Sequence, residues 1–444
     1  MSIAKLIYKF FNMTKNEFLI KKMHELVKAA YGCTEIGAIA YPCAVAYSYA
    51  DNEGIDSLKI EISSYIYKNV SRVGVPNLGF CGCSMIAAAG AVVADPKRKL
   101  EMFSSVTEEQ KDAAKELCVE GRVKVVVPND VDPVYAKATI VTKKGSKIEA
   151  LVEKLHDNLV WVKKNGKIVF EKENTTKGEK ASKSTQEEYG PNDFHLTDLV
   201  SLASSLKEKD LEFLEEVFKI NVELSEYGKK HIIPGSFTDV FRKTYNDRDI
   251  AHEIIYDTVA AIDARMAGVS LPVMSSCGSG DHGLTLSIPQ YTFHKHYKTS
   301  KITFLRGLAL ANLVTWKIKS AIGELSAFCG SVMAAVTAAL VGLAYQANFT
   351  SAHIRSLINS CMASFALALC DGAKMSCTFK IAAALAQGVM IFRMTPNDLA
   401  VKPKDGIIGD SPRQTLKIFH EISAKHSKDI NATLVKGLNE INKE

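Results

Sequence analysis

Apolar residues recur at helical spacing along most of the chain, and the exceptions mark where the architecture changes. "KNEFLIKKMHELVKAAYG", from Lys15, keeps its apolar residues on one helical face and stops at Gly32. "CTEIGAIAYPCAVAYSYA" restarts a helix, with Thr34 as candidate N-cap and Pro42 as a local perturbation. "GAVVADPKRKLEMFSSVTEEQKDAAKELC" reads as helix, turn and helix. Residues 1–120 are thus expected to form the N-terminal part of a large helical body.

Near residue 121 the pattern changes to runs of Val, Ile and Thr separated by turn pairs. "KNGK" between "LVWVK" and "KIVFEK" is a hairpin signal. Residues 121–173 predict a small antiparallel sheet of about four strands, with "GSKIEALVEKL" compatible with strand or helix. Residues 174–193 are polar, lysine-rich and aperiodic, as expected of an exposed linker. Residues 194–444 return to helical spacing with glycine-rich interruptions. The fold class expected is α+β, predominantly helical: a large α-helical body with a small inserted antiparallel β-sheet subdomain.

Composition narrows the class. The chain has 444 residues, 47% hydrophobic and 23% charged, which is the balance of a folded globular protein. Its net charge of +6 is spread along the chain without a basic stripe, so no nucleic-acid partner is expected. The apolar run from Leu325, "LSAFCGSVMAAVTAALVGLAYQANFTSAH", is dominated by Ala, Gly, Ser and Thr. A lipid-facing helix would show Leu, Ile and Phe, so close-packed core helices are expected and no membrane. The opening "MSIAKLIYKFFNMTKNEF" has no uninterrupted apolar core or cleavage site and reads as an extra helix turn. Ten cysteines in a long chain without a secretory signal suggest a reducing, cytoplasmic setting, where thiols serve metals or catalysis.

Three of those cysteines stand at predicted helix boundaries. Cys329 precedes "GSVMAAVTAALVG", Cys370 closes "RSLINSCMASFALAL", and Cys377 precedes "TFKIAAALAQGVM". Helix N-termini favour thiolates, and three thiolates can hold an iron–sulfur cluster; the plain alternative is three small core residues. "VMSSCGSGDHGLTLSIP" crowds Gly278, Gly280 and Gly283 around Ser279, Asp281 and His282. Successive exposed amides there would bind a carboxylate or phosphate, while Asp281 and His282 would bind an amino group or move protons. A sharp glycine turn is the alternative. Cys33 sits at a fresh helix start, which would make it a reactive thiol, or else a buried one. Lys374 lies between two of the proposed ligands, placed to balance charge, meet a carboxylate or simply be solvated. Cys81 and Cys83 have C-x-C spacing without a matching second half. Cys43, Cys118 and Cys361 carry no signal beyond packing, and His156 and Asn158 read as turn residues.

"GCTEIGAIA", "PNLGFCGCSMIAAAGAVVADP", "SSCGSGDHGLTLSIP", "ELSAFCGSVMAA" and "CDGAKMSCTFK" together resemble the motif series of the L-cysteine desulfidase family, related to the alpha domain of the iron–sulfur L-serine dehydratases. The resemblance implies a 4Fe-4S cluster on Cys329, Cys370 and Cys377, a substrate-binding turn at Gly278, Ser279, Gly280, Asp281 and His282 with Lys374 nearby, and Cys33 as acid/base thiol. It departs at Asp281, where relatives often carry Asn, at "CTEI", which lacks a following proline, and at the added thiols Cys81, Cys83 and Cys277. The reaction implied is loss of sulfide from L-cysteine to give pyruvate and ammonia; a small amino acid is the expected partner, and a homodimer the assembly to consider. The rivals are water loss from L-serine, a pyridoxal phosphate lyase using Lys374, a non-enzymatic iron–sulfur protein, and a purely structural helical protein.

Overall fold

The computed structural model describes residues 13–30, 34–71, 73–79, 82–172, 189–245, 249–323, 325–366, 368–397 and 399–441. Cys33, Cys81, the opening segment 1–12, residue 173 and residues 174–188 of the expected linker lie outside the described residues. The protein is predominantly helical α+β with a small mixed sheet.

The chain enters through helix Lys15–Leu26, which Thr14 and Glu17 start with a reciprocal capping box. This helix ends at Leu26 rather than at Gly32, because the next residues pair as strand β1 (Val27–Ala30). The following helix, Thr34–Ser48, is buried on all sides from Thr34 to Ala46. Its Ala- and Ile-rich sequence allows that, since an all-apolar helix belongs inside.

The sheet is larger than the pattern predicts. Strands β2 (Ile55–Ile62), β3 (Val123–Val126), β4 (Tyr135–Thr142), β5 (Lys147–Glu153), β6 (Leu159–Lys164) and β7 (Lys167–Glu171) stand in the order β3-β2-β4-β5-β6-β7. β2 comes from the part read as helical, and it pairs parallel to β3 but antiparallel to β4, so the sheet is mixed. Leu58, Ile60 and Ile62 alternate inward along it, the period of a half-buried strand. "GSKIEALVEKL" is strand, with Ile148, Ala150 and Val152 buried. The hairpin forms at Asn165 and Gly166, both at positive φ, as a type I′ turn requires.

The helical body is built from Ile250–Met266, Gly280–Tyr297, Lys301–Ile322, Ser331–Gln346 and Cys377–Met394. By length and composition Cys377–Asn397 could cross a membrane; 39% of its apolar window is buried in this fold. A second, two-stranded sheet joins the N-terminal segment to this body. β1 pairs antiparallel with β8 (Val273–Ser276), Val27 against Ser276 and Ala30 against Val273. This pairing places Val27 at the start of the 276–283 loop, with Ala30 at the opposite end of β8.

Candidate functional site

Strand β8 ends in two left-handed residues, Cys277 (φ 47°) and Gly278 (φ 75°), before helix Gly280–Tyr297 begins. The Cys277 amide donates to the Leu26 carbonyl at 3.0 Å, and the Ser279 amide to that of Ser276 at 3.1 Å. Ser279 gives the helix no side-chain cap, and the amides of Gly280, Asp281 and His282 have no hydrogen-bond partner among the described residues. First-turn amides in that condition attract anions. Gly280 and Gly283 are there for space: a Cβ would come within 2.6 Å of Arg265 Nε at the first and 1.9 Å of the Met274 carbonyl at the second.

Asp281 is engaged. Its carboxylate accepts from the Arg265 guanidinium at 2.6 Å, and both side chains are buried. His282 is buried too, and its Nδ1 lies 3.1 Å from the Ser276 carbonyl, so Nδ1 carries the proton and Nε2 the lone pair. Burial, then the charges of Lys319 and Arg265, lower its pKa to about 3. Nε2 faces Gly330, where a Cβ would sit 2.5 Å away.

The cysteine segments meet through a short antiparallel bridge, Phe328 against Leu369. The Cys329 amide donates to the Ala368 carbonyl and the Cys370 amide to the Ala327 carbonyl, each at 2.7 Å. Cys377 opens helix Cys377–Met394, and its Sγ donates to the Gly372 carbonyl at 3.5 Å. Lys68 underlies this turn: only 1% exposed, its Nζ donates to the carbonyls of Cys370 at 2.9 Å and Ser326 at 3.3 Å. Gly372 (φ 104°) packs on the Lys68 carbonyl, 2.2 Å from where its Cβ would be.

Cys329, Cys370 and Cys377 line one cavity with Asp281, His282 and the Gly278–Ser279 turn. The cavity holds about 100 Å³; one water needs roughly 10–15 Å³, so several waters or a small amino acid fit. Cys277 lines it as a fourth thiol. Thr34, next to Cys33, lines it as well and donates from Oγ1 to the Gly278 carbonyl at 3.0 Å. Lys374 does not line it. Its ammonium pairs with Asp371, which also meets Lys380. Cys43 and Cys361 are core residues, and Cys83 is buried at the start of its helix.

Helix starts favour ionised thiols, whereas burial raises the pKa of Cys329 and Cys377 in the metal-free fold. Burial and then the neighbouring Cys370 push the Cys329 thiol up to about 11, while burial, Asp281 and Cys329 raise Cys377. As placed, no three His, Cys, Asp or Glu side chains among the described residues form a ready metal-binding group. The donor chemistry nevertheless fits an iron–sulfur centre. The soft thiols of Cys329, Cys370 and Cys377 share one cavity with that of Cys277, and four helix starts reach it through Thr34, Asp281, Ser331 and Cys377. Their positive ends favour the negative charge that metal-bound thiolates bring.

Four lining or supporting residues escaped the sequence pattern. Lys68 is the single charge of its short helix, and that isolation was the available signal; Arg265 stands among other charges in helix Ile250–Met266 and carried none. Glu35 was passed over inside its motif. His156, on the turn between β5 and β6, lines the cavity with a buried Nε2 that has no hydrogen-bond partner among the described residues.

Fold and site together define a predominantly helical protein built around a cysteine-lined cavity. The model of the serine dehydratase alpha chain matches residues 97–438. A UPF0597 protein of Desulfatibacillum aliphaticivorans is 33% identical over 419 residues, covering 92% of this chain and 95% of its own. One of Desulfotalea psychrophila is 34% identical over 415 residues, with the same 92% and 95% coverage. One of Clostridioides difficile is 29% identical over 421 residues, covering 94% and 98%. The chain belongs to the serine dehydratase alpha chain family, a family of iron–sulfur dehydratases.

Proposed function

We propose that this protein eliminates sulfide from L-cysteine, consuming one water and giving pyruvate, ammonia and hydrogen sulfide, with a 4Fe-4S cluster held by Cys329, Cys370 and Cys377. The observation that carries the reading is the meeting of these three thiols in one small cavity with Asp281 and His282, whose first-turn amides are uncapped. When bound, such a cluster with only three protein ligands supplies an open Lewis-acid iron suited to a soft sulfur.

The chain's own residues do the rest. The first-turn amides hold the substrate carboxylate, with Gly278 and Ser279 shaping the turn that presents them. A proton acceptor must reach Cα. We assign that role to Cys33, whose neighbour Thr34 touches the Gly278 turn; His282, with its Nε2 lone pair inside the cavity, is the alternative acceptor. Asp281 orients the loop through Arg265, and Lys374 fixes the turn between Cys370 and Cys377 through Asp371. The substrate is the only partner this chemistry needs, and cytoplasmic location and a homodimer are part of the same reading.

Elimination of water from L-serine is the second reading, favoured by the family's own description. Anaerobic purification followed by iron and sulfide analysis, then pyruvate and sulfide assays on both amino acids, separates the two. Pyruvate from L-serine alone would replace the first reading by the second. A protein that binds no iron would remove both.

A further inference from the structure

An α-amino acid carries its ammonium and carboxylate on one carbon, so a site that recognises both must place opposite charges on adjoining walls. The amides of Gly280, Asp281 and His282 provide for the carboxylate, and the Thr34–Gly278 hydrogen bond clamps the start of helix Thr34–Ser48 against that same loop. The residue carried in by this clamp is Glu35, 9% exposed and facing the cavity. We propose that Glu35 binds the α-ammonium group of the substrate and so selects amino acids over acids of the same shape. This rests on the lyase reading above.

Its hydrogen bonds leave it suited to the task. Oε1 accepts from Asn69 Nδ2 at 2.8 Å, which fixes the carboxylate plane. Oε2 lies 3.2 Å from Thr34 Oγ1, whose single proton has a nearer acceptor in the Gly278 carbonyl at 3.0 Å. With that proton given to Gly278, Oε2 keeps acceptor capacity that an ammonium N–H meets. The other carboxylate lining the cavity, Asp281, is already occupied by Arg265. Glu35 forms no ion pair among the described residues, and the nearby Lys68 donates instead to the carbonyls of Ser326 and Cys370.

The test compares L-cysteine with 3-mercaptopropionate, which has the thiol and carboxylate but no ammonium. Anaerobic, iron-loaded parent and E35Q protein are matched for iron content; KM for L-cysteine and the inhibition constant of 3-mercaptopropionate are then measured. Losing a hydrogen bond to a charged group weakens binding by roughly ten- to a hundredfold. E35Q is therefore expected to raise KM for L-cysteine by about that factor and to leave 3-mercaptopropionate binding unchanged or tighter. E35D, which keeps the charge at shorter reach, should fall between and serves if E35Q does not fold. Equal loss for both ligands, or loss for neither, overturns the assignment. A parent that makes pyruvate from neither amino acid overturns the lyase reading instead. Ligand-induced thermal stabilisation by the same two compounds then still decides Glu35, which requires E35Q to lose the L-cysteine shift alone.

Discussion

Lys68 Nζ lies 2.9 Å from the carbonyl oxygen of Cys370 on a side chain with 1% exposure, so a buried cation supports the segment that carries a proposed cluster ligand. Burial lowers its pKa, while Cys370, Asp371, Glu35 and Cys329 oppose that shift. Replacing it by Met leaves two buried carbonyls without their donor, at roughly 1–3 kcal/mol each. Lys68→Met is expected to lower bound iron and sulfide per chain after anaerobic reconstitution and to lower the denaturant midpoint of the metal-free protein. Full iron retention would show that Lys68 is only a packing residue.

Gly372 meets two constraints at once, a φ of 104° and a Cβ position 2.2 Å from the Lys68 carbonyl. Non-glycine strain of that kind costs of order 1–3 kcal/mol, before any clash with backbone is added. Gly372→Ala should therefore destabilise the fold by a few kcal/mol, on the order of a core cavity mutation, and should also cost iron binding, because the turn joins Cys370 to Cys377. Equilibrium denaturation and iron analysis check the two effects separately.

The predominantly helical class and the hairpin at Asn165–Gly166 were readable because each rests on local chemistry: helical apolar spacing, and two residues that tolerate positive φ. β2 was missed although Leu58, Ile60 and Ile62 alternate, because strand pairing with residues 123–142 is a long-range fact. In the site, the motif cysteines and glycines stood out by type and spacing. Glu35 and His156 did not, since a charged or polar residue says nothing of the cavity wall it reaches after folding, and Lys68 did not because the carbonyls it meets, those of Ser326 and Cys370, lie far along the chain. The raised pKa of the Cys329 and Cys377 thiols was not readable for a related reason: helix starts were visible, burial was not.

His282 sets an acid limit on the metal-free protein. Its pKa falls from an ordinary 6.5 to about 3 in the fold, so between those values the unfolded chain binds a proton that the native state refuses. Stability is complete above pH 6.5 and declines as pH falls toward 3. Urea unfolding at pH 7 and pH 4.5 should show the loss, and His282→Gln should flatten it. An unchanged slope in that variant would assign the acid sensitivity to other groups.

The cysteines should divide into two groups with opposite signatures. Cys43 and Cys361 are fully buried, and burial alone raises the first while pushing the second up to about 12. Truncating either to Ala removes packed sulfur and opens a small cavity, at roughly 1–3 kcal/mol of stability, but should leave iron content unchanged. Cys329, Cys370 and Cys377 border the cavity, where a Ser in place of each thiol costs little packing and removes a soft donor. Each of those Ser variants is expected to keep its unfolding midpoint in the metal-free form while losing iron, brown colour and pyruvate formation. Alkaline titration gives an independent mark. The Cys329 thiol stays protonated to about 11 in the fold against an ordinary 9, so native stability falls as pH rises between those values, and Cys329→Ser should remove that contribution. A Cys329, Cys370 or Cys377 variant that retains full iron would break the ligand assignment for that position.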